Sequence, residues 1–251
     1  MINVILFVLL AVLAGVCAVA PTVYIKRKLG GNMKRVRDGV AVYVIFASLL
    51  NAVVYTVFAV GMEMSSIIEK TEWSSALINA ALLSVCAFIG HLIWLKCIVK
   101  EQGETGDSLL YGAGYCAAYM VLSYVLSSVA NAVISIMVAI DENAPISNVF
   151  ISNITQVANT DAYTLFLEIL QMLLTVIFEG AVCVILYRVL LCGNKKRWLA
   201  AAFFLHFSGN AVIRYHEIDR GYIILIYLLV AVIAAGTAYA LLFPTKKKTE
   251  E

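Results

Sequence analysis

Long apolar stretches separated by short polar segments run through the whole sequence. Stretches of about 20 apolar residues are typical of helices that cross the hydrocarbon core of a bilayer. The predicted spans are residues 3–25, 39–62, 74–98, 108–139, 163–191, 198–213 and 221–243. This pattern predicts an all-α fold, a polytopic transmembrane helix bundle of about seven spans.

The distribution of positive charge supports this count. Of the 18 Lys and Arg residues, only Lys70, Arg214 and Arg220 lie on one side of the predicted membrane, and all others lie on the opposite side. Because Lys and Arg are enriched in cytoplasmic loops, the N-terminus is expected outside and the C-terminus in the cytoplasm. A count of six or eight spans would spoil this alternation.

Composition favours one membrane domain. The chain is 63% hydrophobic and 14% charged, whereas soluble domains carry about 25% charged residues. We expect a single integral membrane domain over residues 1–243 and a cytoplasmic tail over residues 244–251. The basic cytoplasmic loops and compact connections favour a multi-pass protein of a prokaryotic plasma membrane. The expected partners are the lipid bilayer and a transmembrane protein or peptide, and no nucleic acid is expected.

A few ionisable side chains lie inside the apolar spans, where they are costly and usually face the bundle interior. They are His91 in the third span, Glu179 in the fifth and His206 in the sixth, with Asn210 on the same helical face as His206. A carboxylate and two histidines suffice for a zinc site with one open position. His91, Glu179 and His206 are therefore candidate metal ligands. Glu179, His206 and Asn210 are candidate catalytic residues, unless each simply hydrogen-bonds a neighbouring helix.

Two helices and the turn between them, residues 80–133, carry a recognisable pair of motifs. The first is Phe88-Ile89-Gly90-His91-Leu92-Ile93-Trp94, and the second is Tyr111-Gly112-Ala113-Gly114-Tyr115-Cys116-Ala117-Ala118-Tyr119. This pair of motifs and the spacing between them resemble those of the YhfC-type intramembrane metalloproteases, relatives of the CPBP membrane peptidases. In that family the first motif reads Phe-Glu-Glu-x-x-Arg-Tyr and the second reads Tyr-Gly-x-Gly-His-Gly-Gly-x-Glu.

The polar positions of both motifs are substituted in this chain. The resemblance implies a glutamate pair where the chain has Ile89-Gly90, and an arginine where it has Ile93. It also implies a histidine at Tyr115 and a glutamate at Tyr119. Losing a base of this kind normally costs orders of magnitude in rate.

Two later elements resemble the same family. Phe178-Glu179 stands where the family has a Phe-His pair, so Glu179 replaces a histidine. The closing Leu-His-x-x-x-Asp/Asn element is retained as Leu205-His206 followed by Asn210. The resemblance therefore implies an intramembrane peptidase frame and, for an active peptidase, zinc.

Three functions are compatible with this sequence. The leading hypothesis is a degenerate, non-catalytic member that binds a membrane partner or an apolar ligand and needs no cofactor. It predicts that Glu179 and His206 lie apart or are capped by ordinary helix contacts. The second is an active metallopeptidase with a rearranged site, which predicts Glu179 and His206 within a few ångströms of each other and a water-accessible cleft. The third is a small-molecule transporter or its membrane subunit, which predicts a cavity open to one side and lined by Asn and Tyr.

Overall fold

The computed structural model describes residues 2–61, 72–100, 103–140, 162–192, 197–215 and 219–243, and the regular elements in these ranges are helices. This confirms the predicted all-α bundle. In α2 and α4 a π-helical segment lies inside the helix, and α3 ends in one. The helices are α1 (Ile2–Leu29), α2 (34–61, with π segment Tyr43–Leu50), α3 (72–99, with π segment Trp94–Val99), α4 (105–140, with π segment Val121–Val125), α5 (Ala162–Leu191), α6 (Arg197–Ile213) and α7 (Arg220–Leu242).

These helices correspond to the predicted spans. Six of them, all except α6, are long and apolar enough to cross a membrane. Helix α6 has 17 residues, about 26 Å at 1.5 Å per residue, slightly less than a typical hydrocarbon core. The predicted orientation of the termini stays a prediction, and the predicted tail 244–251 lies outside the described residues.

Helix α5 is the centre of the bundle. It packs against α1, α3, α4, α6 and α7, and Phe178, Ile185 and Tyr187 on it are fully buried. Its sequence is apolar around most of its circumference, as expected for a helix surrounded by other helices. Ile177 is 52% exposed, so α5 keeps one outward side, but Glu179 in its middle is 3% exposed and faces other helices.

Helices α2 and α4 approach closely through glycine. A Cβ on Gly39 would collide with the backbone of Tyr111, and a Cβ on Gly114 would collide with the backbone of Val36. Small residues allow transmembrane helices to make such backbone contacts. The spacing of Tyr111 and Gly114 in the second motif thus fixes where α2 crosses α4.

The connection between α1 and α2 is tied to the start of α4 by one carboxylate. Asp107 accepts a hydrogen bond from the backbone N–H of Asn32 at 2.6 Å and another from that of Glu104 at 3.2 Å. The second bond belongs to a capping box at the start of α4, which satisfies backbone donors that the first helical turn leaves unpaired. Asp107 is buried, so this junction is a fixed part of the bundle.

Candidate functional site

Glu179 and His206 meet in the interior between α5 and α6. Glu179 Oε2 lies 3.2 Å from His206 Nε2, and the two residues are 3% and 5% exposed. The distance is short enough for an ion pair, but the atoms are not aligned as a hydrogen bond. Among the described residues, Glu179 Oε2 therefore has no hydrogen-bond partner.

Asn210 connects His206 to the end of α6. Its Nδ2 donates to the backbone carbonyl of His206 at 2.9 Å, and its Oδ1 accepts from Arg214 Nη1 at 2.8 Å. Arg214 Nη1 also donates to the backbone carbonyl of Asn210 at 3.3 Å. These bonds orient the Asn210 amide and hold the Arg214 guanidinium next to it.

His91 is bound to other partners. Its Nδ1 shares a 2.6 Å hydrogen bond with the Tyr111 hydroxyl, and its Nε2 lies 3.9 Å from Cys183 Sγ. The imidazole also packs against the ring of Tyr115, with 5.2 Å between centroids. Both ring nitrogens thus have protein partners, and His91 joins α3 to α4 and α5.

At the substituted positions of the first motif, the side chain either faces outwards or has no room to be longer. Ile89 is 40% exposed and Ile93 is 44% exposed, on the surface that a transmembrane helix presents to lipid. A Cβ on Gly90 would lie 2.5 Å from Cβ and Cγ of Phe46. Phe46 therefore fills the space into which a longer side chain at position 90 would extend.

A polar cavity adjoins the Glu179 carboxylate. Its volume is about 240 Å³, room for several waters or a small organic molecule. Tyr115 and Tyr119, which replace the implied histidine and glutamate, are part of its wall. The other lining residues are Tyr43, Ala47, Ser48, Asn51, Leu83, Ser123, Glu179 and Arg214.

The sequence indicated only part of this site. Glu179 was a candidate, but Tyr43, Asn51 and Arg214 were not. Asn51 is an amide inside an apolar span, which the sequence alone assigns to packing, and Arg214 follows Asn210 by one helical turn. The wall contains three Tyr side chains and one Asn, residue types that the transporter alternative expects, and that alternative stays a prediction.

The described residues do not fit a catalytic zinc ion. Such sites use three protein ligands and leave the fourth position open. Among the residues that the structure describes, no group of three or more His, Cys, Asp or Glu side chains is placed to hold a metal. Glu179 and His206 are brought together, while His91 is engaged by Tyr111 and Cys183.

Comparison with known families agrees with the arrangement of motifs. The family model described as YhfC intramembrane metalloprotease matches residues 7–234. This match covers most of the chain, and the chain belongs to that family. No curated protein matches the chain, and no solved structure matches it.

Proposed function

We propose that this YhfC-family membrane protein is a degenerate member that binds a ligand or a membrane partner and does not hydrolyse peptide bonds. The observation that carries this proposal is the state of the first motif on α3. Hydrolysis needs a base to activate water and donors for the oxyanion. Ile89 points outwards, and Gly90 is packed against Phe46, so α3 supplies neither a base nor a metal ligand there.

Two cavities in the helix bundle support the binding of a ligand. Besides the polar cavity at Glu179, an apolar cleft of about 310 Å³ lies between α1, α4, α5 and α7, with Ile25, Ala113, Gly180 and Ala235 among its lining residues. Because apolar helices imply a lipid environment, an acyl chain is the natural occupant of an apolar cleft on this surface. The bundle thus offers both a polar and an apolar binding volume.

The test is a combined metal and cleavage experiment. The full chain, reconstituted in lipid nanodiscs, is analysed for zinc and incubated with a membrane-spanning peptide alongside Glu179→Gln and His206→Ala. Glu168→Gln is the matched control, because Glu168 also lies on α5 but pairs with Arg220. We expect no stoichiometric zinc, no cleavage above a protein-free blank, and no difference between variants. Cleavage that is lost in Glu179→Gln but kept in Glu168→Gln would overturn the proposal.

The second candidate is an active peptidase with a rearranged site. It is favoured by one specific observation, the 3.2 Å contact between Glu179 and His206. In this function Glu179 is the base that accepts a proton from water in the adjoining cavity, and His206 orients the carboxylate. It predicts that Glu179→Gln and His206→Ala each abolish cleavage, so the same experiment distinguishes the two candidates.

A further inference from the structure

We propose that the Glu179 cavity binds a small zwitterion, a molecule that carries a primary ammonium group and an anionic group. This inference rests on the proposed function, because it assigns the site to binding instead of hydrolysis. Glu179 would receive the ammonium group, and Arg214 would receive the anionic group.

Unpaired acceptors in the cavity wall are the first reason. Glu179 Oε2 and Asn51 Oδ1 are buried and have no hydrogen-bond partner among the described residues, and both residues line the cavity. Leaving buried acceptors unpaired is costly. An ammonium group brings three donors and no acceptor, and its positive charge would balance the carboxylate.

The aromatic wall is the second reason. Tyr43 makes edge contacts with Tyr115 and Tyr119, with ring centroids 5.1 Å and 5.6 Å apart, and all three residues line the cavity. The faces of aromatic rings attract cations, and this attraction strengthens when the cation is removed from water. A carboxylate among three tyrosines is therefore suited to an organic ammonium.

Arg214 adds a site for an anion in the same cavity. The two hydrogen bonds that it makes to Asn210 both use Nη1, while a guanidinium carries five N–H donors in a fork that fits carboxylate and phosphate. Arg214 and Glu179 carry opposite formal charges, so a ligand with one charge of each sign keeps the filled cavity neutral. A simple cation or anion would leave one of these two groups unmatched.

The π-helical backbone around the cavity is a further reason. Tyr43, Ala47 and Ser48 belong to the π segment of α2, and Ser123 belongs to that of α4. All four residues line the cavity, and π segments inside helices occur frequently at functional sites. Two helices thus change their backbone winding where they enclose this space.

Two kinds of molecule carry both a primary ammonium group and an anionic group. One is a free amino acid, and the other is the phosphoethanolamine headgroup of a membrane lipid. Both present an ammonium group a few bonds from an anion. The test separates them by offering each one alone.

The experiment measures ligand binding to the full chain in phosphatidylcholine nanodiscs, by calorimetry and by thermal unfolding. The probes are glycine and O-phosphoethanolamine, and the matched controls are acetate and ethylamine, which each lack one of the two charges. A second set of nanodiscs contains phosphatidylethanolamine and no soluble probe. We expect a soluble zwitterion, the ethanolamine lipid, or both to raise the melting temperature, as a ligand of the folded state must. Acetate and ethylamine are expected to bind at least tenfold more weakly.

Variants assign any binding to this cavity. Glu179→Gln and Arg214→Gln should each weaken binding by about tenfold or more, because each removes a charged partner. Asn51→Ala, a smaller change on α2, should weaken it less, and Glu168→Gln should leave it unchanged. The proposal is overturned if neither zwitterion nor the ethanolamine lipid binds, if Glu179→Gln binds as tightly as the unmodified chain, or if acetate or ethylamine binds equally well. The cleavage experiment decides the proposed function separately, since its readout does not depend on these ligands.

Discussion

Helices α2 and α4 contact each other in two very different ways. In one half, Gly39 and Gly114 bring the two backbones into direct contact. Further along, both helices pass into π segments and enclose the polar cavity next to Glu179. The glycines of the motif serve packing, whereas the polar site is formed by other residues. The close helix contact and the polar cavity thus depend on different residues of the same two helices.

The two histidines that are buried in the described part of the chain, His91 and His206, show the same contrast. His91 has protein partners at both ring nitrogens, Tyr111 and Cys183. His206 lies beside a carboxylate whose Oε2 is without a hydrogen-bond partner among the described residues. A paired group stabilises the bundle, and an unpaired one lowers stability unless something binds it. The following predictions test this division, from the largest expected effect to the smallest.

Gly114→Ala should have the largest effect on stability. The added Cβ would collide with the backbone of Val36, and overpacking against a backbone that must shift costs about 3 kcal/mol. The free energy of unfolding in detergent micelles measures this loss. Gly236→Ala on α7 is the control, because its Cβ would meet no described atom within 4 Å. Equal stability of the two variants would contradict the close α2–α4 contact.

Tyr111→Phe should lower the free energy of unfolding by about 1–3 kcal/mol, because it leaves His91 Nδ1 buried without its partner. The same measurement applies, with Tyr239→Phe as the control, since the Tyr239 ring is exposed. Ligand binding to the cavity should not change. A variant as stable as the unmodified chain would show that the 2.6 Å bond contributes nothing.

Glu179→Gln should change the free energy of unfolding by less than about 1 kcal/mol. The carboxylate oxygen Oε2 has no aligned hydrogen bond to lose, and a neutral amide is less costly to bury than a charge. Chemical denaturation of the ligand-free protein measures this. A loss of about 3 kcal/mol or more would instead mean a true ion pair with a protonated His206. In that case Glu179 would be a paired group that stabilises the bundle, as His91 is.

Arg220→Met should have the smallest effect, below about 1 kcal/mol. Arg220 and Glu168 are 3.2 Å apart, but their side chains are 39% and 37% exposed, and exposed ion pairs contribute little. The unfolding free energy at low and high salt checks this prediction. A larger loss would indicate that the pair fixes the N-terminal parts of α5 and α7 relative to each other.

The sequence predicted the helices well because apolar length and charge placement are local properties. It also indicated His206 with Asn210, because a spacing of four residues puts two side chains on one face. The partner of His91 could not be predicted. Tyr111 lies on the next helix, and contact with it depends on the register and rotation of α3 against α4. The same limit hid the cavity, whose walls come from α2, α3, α4 and α5 and from Arg214 just after α6.

The Asp107 junction has a consequence for how the chain assembles as it is synthesised. Asn32 lies in the α1–α2 connection, and its acceptor Asp107 comes 75 residues later. Helices α1 and α2 must therefore leave the ribosome and wait through the synthesis of α3 before this bond can form. Because Gly39 also needs the backbone of α4 as its neighbour, the first two helices lack the helix against which both pack until then. Assembly of the bundle should thus depend on the insertion of α4. A chain whose synthesis stops before α4 would be exposed to quality-control proteases.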